Sequence, residues 1–339
     1  MKVGVLTAGG DCPGLNAAIR GVVGRVAAAG GETVGVEKGW RGLMEGLTRP
    51  LTRNDVRGIL HEGGTILGTS RMDPYVHGGG YESVRATLDK EGIDVVVVIG
   101  GDGSLRTAAR LGKEGLGVVG VPKTIDNDIP GTDVTFGFHT AVQIVTDAID
   151  RLTTTAESHN RVMVVEVMGR TAGWIAAYAG MAGGAEAILV PEVDYDLSHL
   201  AERLQVRHEA GHDYSIVVVA EGTPGPGGRE STTGVDAYGF ARLGGVGEVV
   251  AGELEELTGY ECRVTNLGYL QRGGTPTAYD RILATRMGLE AGRLALEGET
   301  GVMVAVKGES LQTLDLSDVS RPPRQLDRKR YEEASWFFA

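Results

Sequence analysis

The run Ile93-Asp94-Val95-Val96-Val97-Val98-Ile99 constrains this chain more than any other stretch. It is apolar on both faces, so it specifies a central strand of a parallel sheet rather than a half-solvated one. It leads directly into Gly100-Gly101-Asp102-Gly103-Ser104 and then into a helical segment ending near Leu111. The same unit of strand, glycine-rich turn and helix recurs. Residues 3–7 lead into Gly9-Gly10-Asp11-Cys12-Pro13-Gly14 and a helix over 15–29, which Gly30-Gly31 would stop. Residues 117–121 lead into Pro122-Lys123-Thr124-Ile125-Asp126-Asn127-Asp128, and residues 162–167 into Met168-Gly169-Arg170 with a helix from Thr171. A long helix is expected over 140–156, with further strands over 187–190 and 216–220. This alternation predicts an α/β protein with mainly parallel sheets and right-handed crossovers.

The chain has 339 residues, too many for one small core, so two lobes are expected. Its apolar runs are far shorter than the roughly 20 residues that cross a bilayer. Residues 1–10 lack a long apolar region, so a secretory signal is not expected. The net charge of -12 argues against non-specific nucleic-acid binding, which needs a basic face. The two cysteines, Cys12 and Cys262, cannot frame a disulfide fold and lack zinc spacing, which fits a reducing cytoplasm. Glycine supplies 54 residues, roughly twice the usual share of about 7%. These glycines cluster after apolar runs, where a backbone can approach a ligand. Residues 223–245 break the rhythm with Pro and Gly and read as a surface insertion. The aromatic end, Trp336-Phe337-Phe338, reads as docked on its own subunit or on a neighbour.

In an open α/β sheet, ligands bind beyond the carboxyl ends of the strands, where four unusual segments fall: 9–14, 100–104, 122–128 and 168–170. Backbone amides at Gly9-Gly10 could cradle an anion, although the segment is neither a P-loop nor a dinucleotide fingerprint. Asp102 among glycines would repel phosphate unless a metal stood between, and Mg²⁺ favours one or two carboxylates plus phosphate oxygens. A helix N-cap is the bland alternative for it. Residues 124–128 place two carboxylates in a turn, so Asp126 or Asp128 could take a proton from an attacking hydroxyl.

Residues 9–20, 100–104, 122–128, 166–170 and 267–274 resemble the phosphofructokinase family in order and spacing, over roughly residues 1–310. The resemblance implies phosphoryl transfer from Mg-ATP to the 1-hydroxyl of fructose 6-phosphate, a glycolytic step. It implies two Rossmann-like lobes with the active site in the cleft between them. The expected donor lobe is 1–138 plus about 251–305. The sugar-phosphate lobe is 139–250 with part of 306–320, and 321–339 is a tail. The implied proton acceptor is Asp126, with Thr124 beside it and Lys123 and Arg170 in the catalytic set. Asp102 is the implied magnesium residue. Gly10, Arg71, Met72, Gly101, Gly103 and Ser104 complete the donor site. Met168, Gly169, Arg170, Glu221 and Arg272 would hold the sugar phosphate. Arg161 and Arg263 would reach it across a subunit boundary, which implies a homo-oligomer, dimer or tetramer. Arginine forks suit a phosphate dianion, and an acidic protein would gather them there.

Two positions bear on the donor. Gly103 matches ATP-using members, whereas pyrophosphate users carry Asp there. Lys123 matches pyrophosphate users. Exclusion by a carboxylate outweighs one added cation, so Gly103 favours ATP. Tyr269 stands where many ATP enzymes have His. Arg20, Arg53 and Glu186 match parts of the family's effector site, but Gly24 and residues 212–214 depart from it, so effector control is expected to be weak.

Overall fold

The computed structural model describes residues 1–228, 232–235 and 241–338. The chain forms two compact units, Met1–Thr140 with Arg272–Pro323, and Ala141–Gln271 with Arg324–Ala339. The first contains β1 (Lys2–Ala8), β2 (Glu32–Val36), β3 (Thr48–Leu51), β4 (Val95–Gly100), β5 (Val118–Thr124) and the short β6 (Phe136–Gly137). The second contains β7 (Val162–Val167), β8 (Ala187–Leu189), β9 (Ser215–Ala220), β10 (Thr232–Val235), β11 (Ala241–Leu243) and β12 (Cys262–Asn266). β13 (Val302–Lys307) and β14 (Ser310–Asp315) return to the first.

The first sheet has the order β14-β13-β5-β4-β1-β2-β3, with β6 on β5. It is parallel except for the antiparallel pairs β2–β3 and β13–β14 at its edges. The second sheet, β12-β7-β9-β8, is parallel throughout. The α/β class with mainly parallel sheets is therefore present in both units. β4 is buried along its whole length, as its double-faced apolar pattern requires.

The helix Asp102–Lys113 shows how the pattern turns into packing. Leu105, Ala108, Ala109 and Leu111 face the core of the first unit, and Arg106 and Arg110 face out. Fully burying a side chain like Leu105 contributes about 1.5–3 kcal/mol. The second unit has its own core, in which Val162, Val164, Val217 and Val219 pack with Leu200, Leu204 and Leu254.

The unit boundaries differ from those expected. β12 pairs with β7, so residues 251–271 belong with the second sheet and not with the donor lobe. β13 pairs with β5, so residues 306–320 belong with the first. Strand pairing decides both assignments, and no local pattern announces it. The tail also joins the second unit. The Leu326 amide donates to Glu192 at 2.8 Å, and the Tyr331 hydroxyl to the Ile188 carbonyl at 3.0 Å. Phe338 meets the Tyr331 ring, but Trp336 is 85% and Phe337 80% exposed, so only one of the three terminal aromatics is docked. In the 223–245 segment, β10 and β11 form an antiparallel pair, and residues 229–231 and 236–240 lie outside the described residues. No helix among the described residues is long and apolar enough to cross a membrane.

Candidate active site

In the first unit, strand register brings three of the marked turns together. Ala8 of β1 lies opposite Gly100 of β4, and Gly100 opposite Pro122 of β5. The segments at 9–14, 100–104 and 122–128 therefore leave one sheet edge side by side, at the carboxyl ends of the strands.

The turn at Gly9 is tied to neighbouring segments. The Gly9 amide donates to the Ser70 carbonyl at 3.0 Å, and the Thr69 hydroxyl donates to the Gly9 carbonyl at 2.7 Å. This sets Arg71 and Met72 beside the turn. Thr107 donates to Asp73 at 2.6 Å and so fixes the same segment to the helix Asp102–Lys113. The Arg272 guanidinium lies over Gly10, where a Cβ would have to push it aside. Arg272 reaches the Asp11 carbonyl at 3.4 Å, and its Nε is buried without a partner. The Ser104 hydroxyl packs against Gly9.

Lys123 is only 3% exposed, and its ammonium donates to the Gly10 carbonyl. Burial pushes its pKa below the ordinary lysine value. A cation is thus fixed inside the glycine turn with its charge partly destabilised. Asp126, 4% exposed, accepts from the Thr124 hydroxyl at 3.1 Å through Oδ2, while Oδ1 is buried with no partner. The Thr124 hydroxyl in turn accepts from the Asp126 amide at 3.0 Å. Asn127 takes a left-handed backbone (φ 55) and accepts from the Thr135 amide at 3.0 Å. The turn is closed on itself, and Asp126 is aimed by its own neighbours.

Asp102 is not a helix cap. Gly101 occupies that position, and Asp102 begins the helix with its carboxylate paired to Arg106 at 2.8 Å. A Cβ at Gly103 would meet nothing within 4 Å, so the space over this turn is open.

In the second unit, β7 and β9 end together, with Val167 opposite Ala220. The Arg170 amide donates to Glu221 at 2.9 Å, and the Met168 amide donates to Gln271 at 3.1 Å. Arg170 has φ 54, which is costly for a side chain of its size and is maintained by this bonding. Gly169 makes the preceding turn with φ 145. Tyr269 is 71% exposed in the turn Gly268–Arg272. The unit does not bring Arg161 and Arg263 to this edge. They lie where β7 and β12 begin, separated from Arg170 by the six residues of β7, about 20 Å.

Both of these arginines pair with Glu261, Arg161 at 2.6 Å and Arg263 through Nη2. The Arg161 bond, with both positive charges, holds Glu261 below the usual carboxylate range. Sequence reasoning missed Glu261, Gln271 and Arg106. Arg106 was visible as an acid and base four residues apart in a helix, whereas Glu261 needed the β7–β12 register. Glu186, matched to the effector site, is paired with Arg207 at 2.7 Å.

Comparison with known proteins gives the family. A family model described as Phosphofructokinase matches residues 2–295. The chain is 53% identical to a pyrophosphate–fructose 6-phosphate 1-phosphotransferase of Amycolatopsis methanolica, covering 100% of both. It is 48% identical to an ATP-dependent 6-phosphofructokinase of Corynebacterium efficiens, covering 100% of this chain and 99% of that one. A solved phosphofructokinase from Saccharomyces cerevisiae is similar with a TM-score of 0.81 and 34% identity, over 94% of this chain and 45% of that one. With a family model matched over residues 2–295 and relatives about half identical along the whole chain, the chain belongs to the phosphofructokinase family.

Proposed function

We propose that this chain moves a phosphoryl group from Mg-ATP to the 1-hydroxyl of fructose 6-phosphate, giving fructose 1,6-bisphosphate, with Asp126 as the base. The observation that carries this reading is the Asp126 carboxylate. One oxygen is held by Thr124, and the other is buried with no partner, ready to accept a hydroxyl proton. Lys123 holds the Gly10 carbonyl and so orders the turn against which the donor phosphates would lie. Asp102, at a helix start beneath an open Gly103, fits a magnesium residue, since it carries a carboxylate with only a guanidinium to displace. Bound magnesium would neutralise charge on the phosphates. Met168, Gly169, Arg170, Glu221, Tyr269 and Arg272 would bind the sugar phosphate. Arg161 and Arg263, far from that edge within the unit, would serve a neighbouring subunit's site in a homo-oligomer. Buried, unpaired Cys12 and Cys262 suit a reducing cytoplasm.

Pyrophosphate is the second reading. Lys123 favours it, as does the name of the relative at 53% identity. We favour ATP because Gly103 leaves the turn open and because Lys123 already has the Gly10 carbonyl as its partner. The test is initial rates with fructose 6-phosphate and Mg²⁺, using ATP and pyrophosphate at equal concentration. Turnover with pyrophosphate alone would overturn the ATP reading. Gly103 has ordinary helical backbone and open space, so Gly103→Asp should fold and lose ATP use.

A further inference from the structure

We propose that Arg106 sets how readily the donor site takes its divalent cation, by holding the Asp102 carboxylate until the cation arrives. The inference rests on the reading of Asp102 as the magnesium residue and names a positioning residue for it. Arg106 lies one turn after Asp102 on the same helix face. Its Nε donates to Asp102 Oδ1 at 2.8 Å, and its Nη2 donates to the Arg321 carbonyl at 3.2 Å. The guanidinium is therefore anchored on both sides and not simply swinging in solvent. Acid first and base four residues on is also the favourable order along a helix.

The next arginine makes the contrast. Arg110 lies over the Tyr75 ring at 3.5 Å and pairs with Glu114, so its charge is used away from Asp102. Among the described residues, Arg106 is the one paired with the carboxylate. A cation approaching Asp102 must displace that guanidinium or bind against its positive charge. Either way Arg106 raises the cation concentration that the site needs. Partly exposed pairs of this kind are weak, so the effect is modest: about two- to fivefold in affinity.

The test uses the full chain with Mn²⁺ as probe, its free signal followed by electron paramagnetic resonance. A non-reacting analogue of whichever donor supports turnover is added: the β,γ-imido analogue of ATP, or imidodiphosphate for pyrophosphate. Arg106→Met and Arg106→Gln should bind Mn²⁺ about two- to fivefold more tightly than the unchanged protein, Arg106→Lys should fall between, and Arg110→Met should match the unchanged protein. The half-saturating Mg²⁺ in turnover should fall in parallel, with kcat at saturating metal altered less than twofold. Unchanged or weaker Mn²⁺ binding in both Arg106 variants, with binding abolished in Asp102→Asn, would overturn the proposal and leave Asp102 as the metal residue. Full Mn²⁺ affinity in Asp102→Asn would overturn both.

Discussion

The carboxyl end of β5 with its following turn and the paired starts of β7 and β12 handle charge in opposite ways. In the first, Lys123 and Asp126 are buried, each aimed by neighbours within a few ångströms. In the second, Arg161, Glu261 and Arg263 form a partly exposed cluster in which one carboxylate serves two guanidinium groups. Burial makes a charge expensive and therefore exact in its placement, since only a fixed partner offsets desolvation. Exposure makes a charge cheap to exchange, which suits groups that must release one partner to take another. The first arrangement fits chemistry on a proton, and the second fits capture of an anion.

The largest test of this contrast is Asp126→Asn. It keeps the shape and the Thr124 contact but removes the base, so kcat should fall at least about 10²–10⁴-fold with sugar-phosphate binding retained. Loss of less than tenfold, measured by coupled assay beside calorimetric binding, would remove Asp126 from its role.

Lys123→Met comes next. The Gly10 carbonyl loses its donor, at a cost of about 1–3 kcal/mol. Relief from burying an ammonium offsets part of this. The donor KM should therefore rise about tenfold or more while the melting temperature moves by only a few degrees. A collapse in melting temperature with an unaltered donor KM would make Lys123 a structural clamp alone.

Glu261→Gln should act more gently. Freeing Arg161 and Arg263 from a carboxylate should lower the KM for the sugar phosphate a fewfold, with little change in melting temperature. A rise in KM would mean that Glu261 orients the arginines rather than competing for them. Glu261 is held below the usual carboxylate range, so the pair stays intact in mildly acidic buffer and the KM difference should persist there.

The smallest effect concerns the thiols. Burial pushes Cys12 and Cys262 both to about 12, so neither ionises near neutral pH. Native protein should react slowly with a thiol reagent at pH 8, and two thiols should appear on denaturation. Cys262, next to partly exposed Arg263, should react before fully buried Cys12. Fast labelling of Cys12 would show that the turn beside Lys123 opens more than its packing implies.

Much of this was legible in the sequence. Residues 93–99 announce β4 because a strand buried on both faces needs an unbroken apolar run. Residues 100–104 and 122–128 announce the strand ends by their density of glycine and charged side chains after an apolar run, although among them only Asn127 takes a left-handed backbone. Asp102 and Arg106 were readable as a helical pair from spacing alone. Glu261 was not, because its partner Arg161 is 100 residues away and meets it only through strand pairing. Residues 251–271 were expected in the first lobe and not in the second unit for the same reason.

The sequence by itself determined what is local: strand and helix periods, the glycine turns, the family signature and the identity of the charged groups. Tertiary structure decided which segments became neighbours, and with that the burial of Lys123, the orphaned oxygen of Asp126 and the sharing of Glu261. The physical reason is range. Backbone preference and amphipathic pattern act over a few residues, whereas desolvation and ion pairing depend on chain segments that only folding brings together.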